Sequence, residues 1–338
     1  MNPCMQRALM FVGAVIGAGF ASGREVVSFF SSYGTYSWPF ILLSTITMTA
    51  LCCICLRRAQ ATAGCHWCAI YQNGSVPVRK LAQGCILLLQ VIMGGAMISA
   101  AGHLFALAIP YRGAYLMGML VTIGLSLLMG CITPKIMTAV SGLLTILFAA
   151  AVIMCMVFDW GEAAVAVGTP KAPMQVAEGS VRAVAYAALN LALSIGAVCR
   201  FGGCSCRISS RSAVLFGLTM TGLLFVSNIL YLKHPELTNA AFPMVALLAR
   251  FGRVGHLISL LMMYLAILTT LSAGLFALRT GLEEKLSPSM ALCMTVILPL
   301  TVAFAGFEGI VDGWYTPVGL LCLLLVFAPL FVRRENIS

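Results

Sequence analysis

Residues 11–25 read Phe11-Val-Gly13-Ala-Val-Ile16-Gly17-Ala18-Gly19-Phe20-Ala-Ser22-Gly23-Arg24-Glu25. The run is apolar enough to enter a bilayer, yet it carries four glycines, a serine and an adjacent Arg-Glu pair. Each interior glycine costs a helix about 1 kcal/mol relative to alanine, and charge at membrane depth is expensive. Close helix packing through Gly13-xxx-Gly17 and Gly19-xxx-Gly23 would account for the glycines. It leaves Arg24 and Glu25 unexplained. An unwound helix accounts for both, because it frees carbonyls and N–H groups at mid-membrane to hold an ion and a polar solute.

The rest of the chain supplies the membrane. Of 338 residues 61% are hydrophobic and only 9% charged, against about 25% charged in soluble domains. A water-soluble enzyme is excluded. The apolar runs are continuous rather than alternating, which argues against a β-barrel. Ten helical spans are expected, at 7–32, 36–57, 81–108, 113–132, 135–159, 180–200, 209–233, 253–282, 287–306 and 310–332, with Pro39, Pro110, Pro134, Pro235 and Pro288 near their ends. Long connections follow the second span (58–80) and the seventh (234–252). No cleavable signal peptide is apparent at the N terminus.

The net charge of +10 falls in clusters between spans, so it signals orientation rather than nucleic-acid binding. With the N terminus inside, 13 of the 20 Lys and Arg lie on the cytoplasmic side, from Arg7, Arg57 and Arg58 through to Arg333 and Arg334. Six lie opposite, and Arg24 is within the first span. A multi-pass protein of the cell membrane with both termini cytoplasmic follows. Ten spans divide into halves of five, 1–159 and 160–338, as one integral membrane domain. Because five is odd, the halves have opposite orientation, the geometry of inverted-repeat transporters.

Gly13–Glu25, with its Gly-Ala-Gly-Phe-Ala-Ser-Gly-x-Glu core, resembles the first helix of the YkvI-like bacterial membrane proteins. These are relatives of the amino acid–polyamine–organocation superfamily, which has the leucine-transporter-type fold. Span number, loop placement and the sixth span extend the resemblance over essentially the whole chain. Family members often have Gln where this chain has Arg24. The resemblance implies an all-α fold, a 5+5 inverted repeat whose first and sixth helices are both broken.

It also implies a set of sites. Solute would contact Gly17, Ala18, Gly19 and Ser22 of the first span, Ala187, Asn190 and Ser194 of the sixth, and Gln90 of the third. Asn190 reads equally as glue to a neighbouring helix. His103, also on the third span, reads as an interfacial residue. A sodium ion would take the carbonyls of Gly13, Ile16 and Ala266 and the hydroxyls of Thr269 and Thr270, five neutral oxygens suited to a hard cation. On its own, the threonine pair reads as hydroxyls bonded one turn back. The lysine that replaces sodium in proton-driven relatives has no counterpart on the fifth span except Lys135, at its edge. An outer gate would join Arg24 to Asp312 or Glu308, or failing them to Glu25. Glu25 is also a candidate carrier of a coupling proton, burial favouring its neutral form and Arg24 its charged form.

Most of the 14 cysteines lie inside apolar runs and behave as small hydrophobes. Cys65, Cys68, Cys204 and Cys206 lie in loops. Reduced thiols are the simpler reading, and four ligands to zinc the alternative. No nucleophile–base pair, HExxH or nucleotide-binding loop is present. The expected function is therefore a non-enzymatic, ion-coupled symporter of an amino acid or related zwitterion, driven by Na⁺ or H⁺, with no other cofactor. Its expected partners are the solute and the lipid bilayer. A non-transporting sensor on the same scaffold is the alternative.

Overall fold

A computed structural model describes residues 11–13, 15–61, 70–71, 75–129, 134–158, 173–200 and 206–331, and among them every regular element is helical. Span 1 is broken: a turn around Ile16 and Gly17 precedes short helices Ala18–Ser22 and Arg24–Phe29. Spans 2, 3, 4 and 5 are Ser37–Ala61, Val76–Ala108, Ala114–Met129 and Pro134–Phe158. Spans 6, 7, 8 and 9 are Pro173–Arg200, Cys206–Lys233, Gly252–Glu283 and Pro288–Ala303. Span 10 covers Phe307–Phe331. Six of these helices are long and apolar enough to cross a membrane, and the segments within spans 4, 5 and 9 are shorter and apolar.

Proline starts many of these helices: Pro77, Pro134, Pro173, Pro235, Pro243 and Pro288 all sit in a first turn. There the missing N–H would have had no intrahelical partner, and the fixed φ suits the helix. Three helices outrun the apolar stretch that marks them. Span 2 continues to Ala61, span 3 begins at Val76 rather than 81, and span 6 begins at Pro173 rather than 180. Hydropathy marks the bilayer crossing, and polar turns extend the helix beyond it. The connection expected over 234–252 is itself structured, as a 3₁₀ turn Pro235–Asn239 and a helix Pro243–Ala249 packed on span 8.

Span 6 departs from the expectation of an interruption. It is one uninterrupted helix from Pro173 to Arg200. Residues 181–195 contain neither Gly nor Pro, so nothing local halts the ladder. Its central polar groups close onto their own backbone: Asn190 Nδ2 donates to Tyr186 O at 3.1 Å, and Ser194 Oγ to Asn190 O at 3.1 Å.

The packing repeats itself after five spans. Span 2 lies against span 6, and span 7 against the Arg24–Phe29 segment of span 1. The 3–4, 3–9, 3–6 and 3–10 pairs have counterparts in 8–9, 8–4, 8–1 and 8–5. Span 3 is the axial element, with Gly94 and Gly95 admitting Pro299 and Val302 of span 9. Its Cys85 meets Cys322 of span 10, sulfur to sulfur at 3.7 Å, both thiols buried. Spans 6 and 10 approach as closely: a Cβ on Gly319 would stand 2.3 Å from the Ala185 carbonyl oxygen.

Candidate functional site

The break in span 1 is built from displaced hydrogen bonds. Ile16 N–H still reaches Val12 O at 2.7 Å, but Gly17 N–H turns to Val15 O at 2.8 Å instead of Gly13. Ala18 N–H leaves the helix altogether and donates to Thr270 Oγ1 of span 8 at 3.2 Å. Gly17 makes that approach possible, since a Cβ there would stand 3.0 Å from the same hydroxyl. The break thus faces the threonine pair of span 8.

Thr269 Oγ1 donates to Leu265 O at 3.0 Å and Ala266 O at 3.1 Å, the back-bonding that threonine commonly makes in helices. A hydroxyl whose proton is spent this way keeps its lone pairs as acceptors. Thr269 Oγ1 thus keeps acceptor capacity next to Thr270 Oγ1, which already accepts from Ala18 N–H; such hydroxyl and carbonyl oxygens are the neutral donor type that a sodium ion takes. Gln90 is buried against Gly274 of span 8, whose added Cβ would lie 3.0 Å from Gln90 Oε1.

Beyond the break, Ser22 is committed to the backbone. Its Oγ donates to Gly19 O at 2.6 Å and accepts from Arg24 N–H at 3.1 Å. Between them Gly23 adopts φ +80°, a left-handed conformation that L side chains resist. A Cβ at Gly23 would also stand 2.1 Å from Tyr231 Oη. This second kink sets Arg24 toward two other parts of the molecule. Its Nη1 donates to the carbonyls of Thr238 at 3.1 Å and Ala240 at 3.4 Å, and its Nη2 pairs with Asp312 Oδ2. Neither Glu308 nor Glu25 is its partner. Asp312 rides on a π-helical turn, Ile310–Trp314, a distortion frequent at functional sites.

Glu25 points elsewhere. It is buried, and its Oε1 lies so near Gly19 that a Cβ there would meet it at 1.8 Å. Tyr186 of span 6 is its immediate neighbour, and Tyr315 of span 10 lies within electrostatic reach. The sequence reading passed over both tyrosines, which look like core aromatics. The signal was the phenol itself, because a buried hydroxyl usually needs a partner.

Ala187, Asn190 and Ser194 are buried on span 6. Asn190 Nδ2 and Ser194 Oγ bond to the backbone of their own helix, and the Asn190 side-chain oxygen keeps its capacity to accept. A separate pocket opens between spans 4, 8 and 9, lined by Ser126, Ser272, Arg279, Glu283 and Thr295 among others. None of the candidate residues lines it. Cys65, Cys68 and Cys204, and the side chain of Cys206, lie outside the described residues, as does the side chain of Lys135.

Comparison with known proteins follows the same lines. No family model matches the chain. It is 28% identical over 295 residues to the uncharacterized membrane protein YkvI of Bacillus subtilis (strain 168), spanning 83% of this chain and 81% of that protein. A solved structure, the inward-facing conformation of Mhp1, covers 95% of this chain and 73% of its own with a TM-score of 0.63 at 12% identity. The fold is that of Mhp1. The leucine-transporter-type arrangement of a polytopic all-α membrane protein is thereby the architecture of this chain, with the uninterrupted span 6 as its departure.

Proposed function

We propose that the chain is a secondary transporter that moves a small polar solute by alternating access, coupled to sodium. The observation that carries this reading is the junction of Gly17 and Ala18 with Thr270. An interrupted membrane helix is costly, and it is used here to bring backbone groups against hydroxyls of a second span. Gly13, Ile16, Ala266, Thr269 and Thr270 would supply neutral oxygens to the ion. Gly17, Ala18 and Gly19, with Ala187 and Asn190 opposite, would border the solute. An amino acid or related zwitterion is the best-matched class, because the ends of short helices offer N–H groups to a carboxylate and carbonyls to an ammonium.

With the N terminus cytoplasmic, the Arg24 contacts to Asp312, Thr238 and Ala240 lie on the outer side and serve as the gate. The halves 1–159 and 160–338 would be the two repeats, an assignment supported by the packing pairs that recur after five spans.

Counterflow of labelled amino acids in proteoliposomes tests this function directly. Exchange in Na⁺ that is lost in K⁺ or choline is the expected result. The Thr269→Val, Thr270→Ala double variant should lose that dependence. Binding without flux would instead mark a sensor, and flux indifferent to Na⁺ would remove sodium from the account.

A further inference from the structure

The two charges of span 1 are treated differently. Arg24 is balanced by Asp312 and two carbonyls. Glu25, 2% exposed, has no cationic partner among the described residues, and its Oε2 makes no hydrogen bond there. The hydroxyls of Tyr186 and Tyr315, on residues fully removed from solvent, also make none. Three buried polar groups from three spans thus lie near one another, Tyr186 immediately beside Glu25 and Tyr315 within its electrostatic reach. Phe29 and Phe30 pack on the Tyr186 ring at 5.1 and 5.2 Å and keep the surroundings apolar.

The neighbourhood fixes what can occupy the cluster. Facing Glu25 are Tyr186 from span 6 and Tyr315 from span 10, both neutral phenols. The adjacent Arg24–Asp312 pair is internally balanced, and Tyr231 of span 7 is turned to Met244. A bare carboxylate among such groups carries an uncompensated charge in a region that water does not reach. The neutral acid carries none, and it gains an O–H donor for a phenol oxygen.

We propose that Glu25, Tyr186 and Tyr315 form a proton-binding site, making a hydron the second cation of the transport cycle. In the closed arrangement Glu25 is the carboxylic acid. When water reaches it, the O–H bond breaks, the proton passes to water as hydronium, and the electron pair stays on the carboxylate. The two phenol hydroxyls then donate to that carboxylate. The protonation stands on the cluster alone, and only its coupling role rests on the transporter reading.

Infrared difference spectroscopy of the purified full-length protein, titrated from acidic to alkaline pH, tests this without any solute. The expected result is a protonated-carboxyl C=O band at neutral pH that Glu25→Gln removes. Identical spectra for wild type and Glu25→Gln would overturn the proposal, whatever the outcome of counterflow in Na⁺. If Glu25→Gln does not fold, Tyr186→Phe and Tyr315→Phe carry the test. Each removes a donor to the carboxylate and should tighten proton binding roughly fivefold, the worth of one ordinary hydrogen bond. A titration unmoved in both would equally overturn it.

Discussion

Arg24 shows how much rests on one side chain. It ties span 1 to span 10 and to the segment between spans 7 and 8, through one ion pair and two carbonyl contacts. The guanidinium is 13% exposed but Asp312 is 40% exposed, so water screens part of the attraction. Asp312→Asn should therefore lower stability by only about 1 kcal/mol, while Arg24→Glu and Asp312→Arg should each abolish exchange. The double swap should restore it, as read by counterflow in proteoliposomes. Absence of recovery would remove the gate. Arg24, Asp312, Gly17 and Thr270 were legible in the sequence because charge, glycine and paired hydroxyls are conspicuous in apolar helices. Tyr186 and Tyr315 were not, since a tyrosine passes for core until its hydroxyl is found unpartnered. Asn190 was visible in the sequence as a buried amide, but its bond to the Tyr186 carbonyl was not, because that bond depends on the rotamer adopted in the folded helix.

At the scale of elements, the ten spans and the break in the first could be read from hydropathy, glycine spacing and intramembrane charge. Two features could not. The uninterrupted span 6 was hidden by the resemblance, although its residues contain nothing that stops a helix. The helices between spans 7 and 8 were hidden because the apolar run after Pro243 is too short to cross a bilayer, although Pro235 and Pro243 mark their first turns. Close packing between spans is likewise a property of pairs of elements. Gly319 lies against the backbone of span 6, where an added methyl would meet a carbonyl oxygen that cannot rotate aside. Gly319→Ala should force spans 6 and 10 apart and cost about 1–3 kcal/mol, visible as a lower thermal midpoint in detergent. Gly124→Ala, with open space around it, is the matched control. An unchanged midpoint for Gly319→Ala would mean that the two spans have slack.

For the whole molecule, the recurrence of packing pairs after five spans means that span 3 and span 8 are corresponding elements and neighbours. The broken span 1 leans on span 8, and span 6 on span 3, its counterpart contact. Only one member of this related pair of helices is interrupted, so the break against span 8 is one-sided although the packing recurs after five spans. In the proposed transport cycle, motion between outward and inward forms would slide some helices past span 3 and leave others seated. The Cys85–Cys322 contact makes that choice testable, because it joins span 3 to span 10 deep in the protein. A mercuric ion is small enough to enter between two such sulfurs and hold both as thiolates. Counterflow stopped by mercury and rescued by Cys322→Ser would mean that span 10 travels relative to span 3. Counterflow indifferent to bound mercury would mean that the two helices move as one rigid unit. Two thiols that look like inert packing are in that sense a clasp already sewn into the garment, waiting only for someone to fasten it and see whether the sleeve still moves.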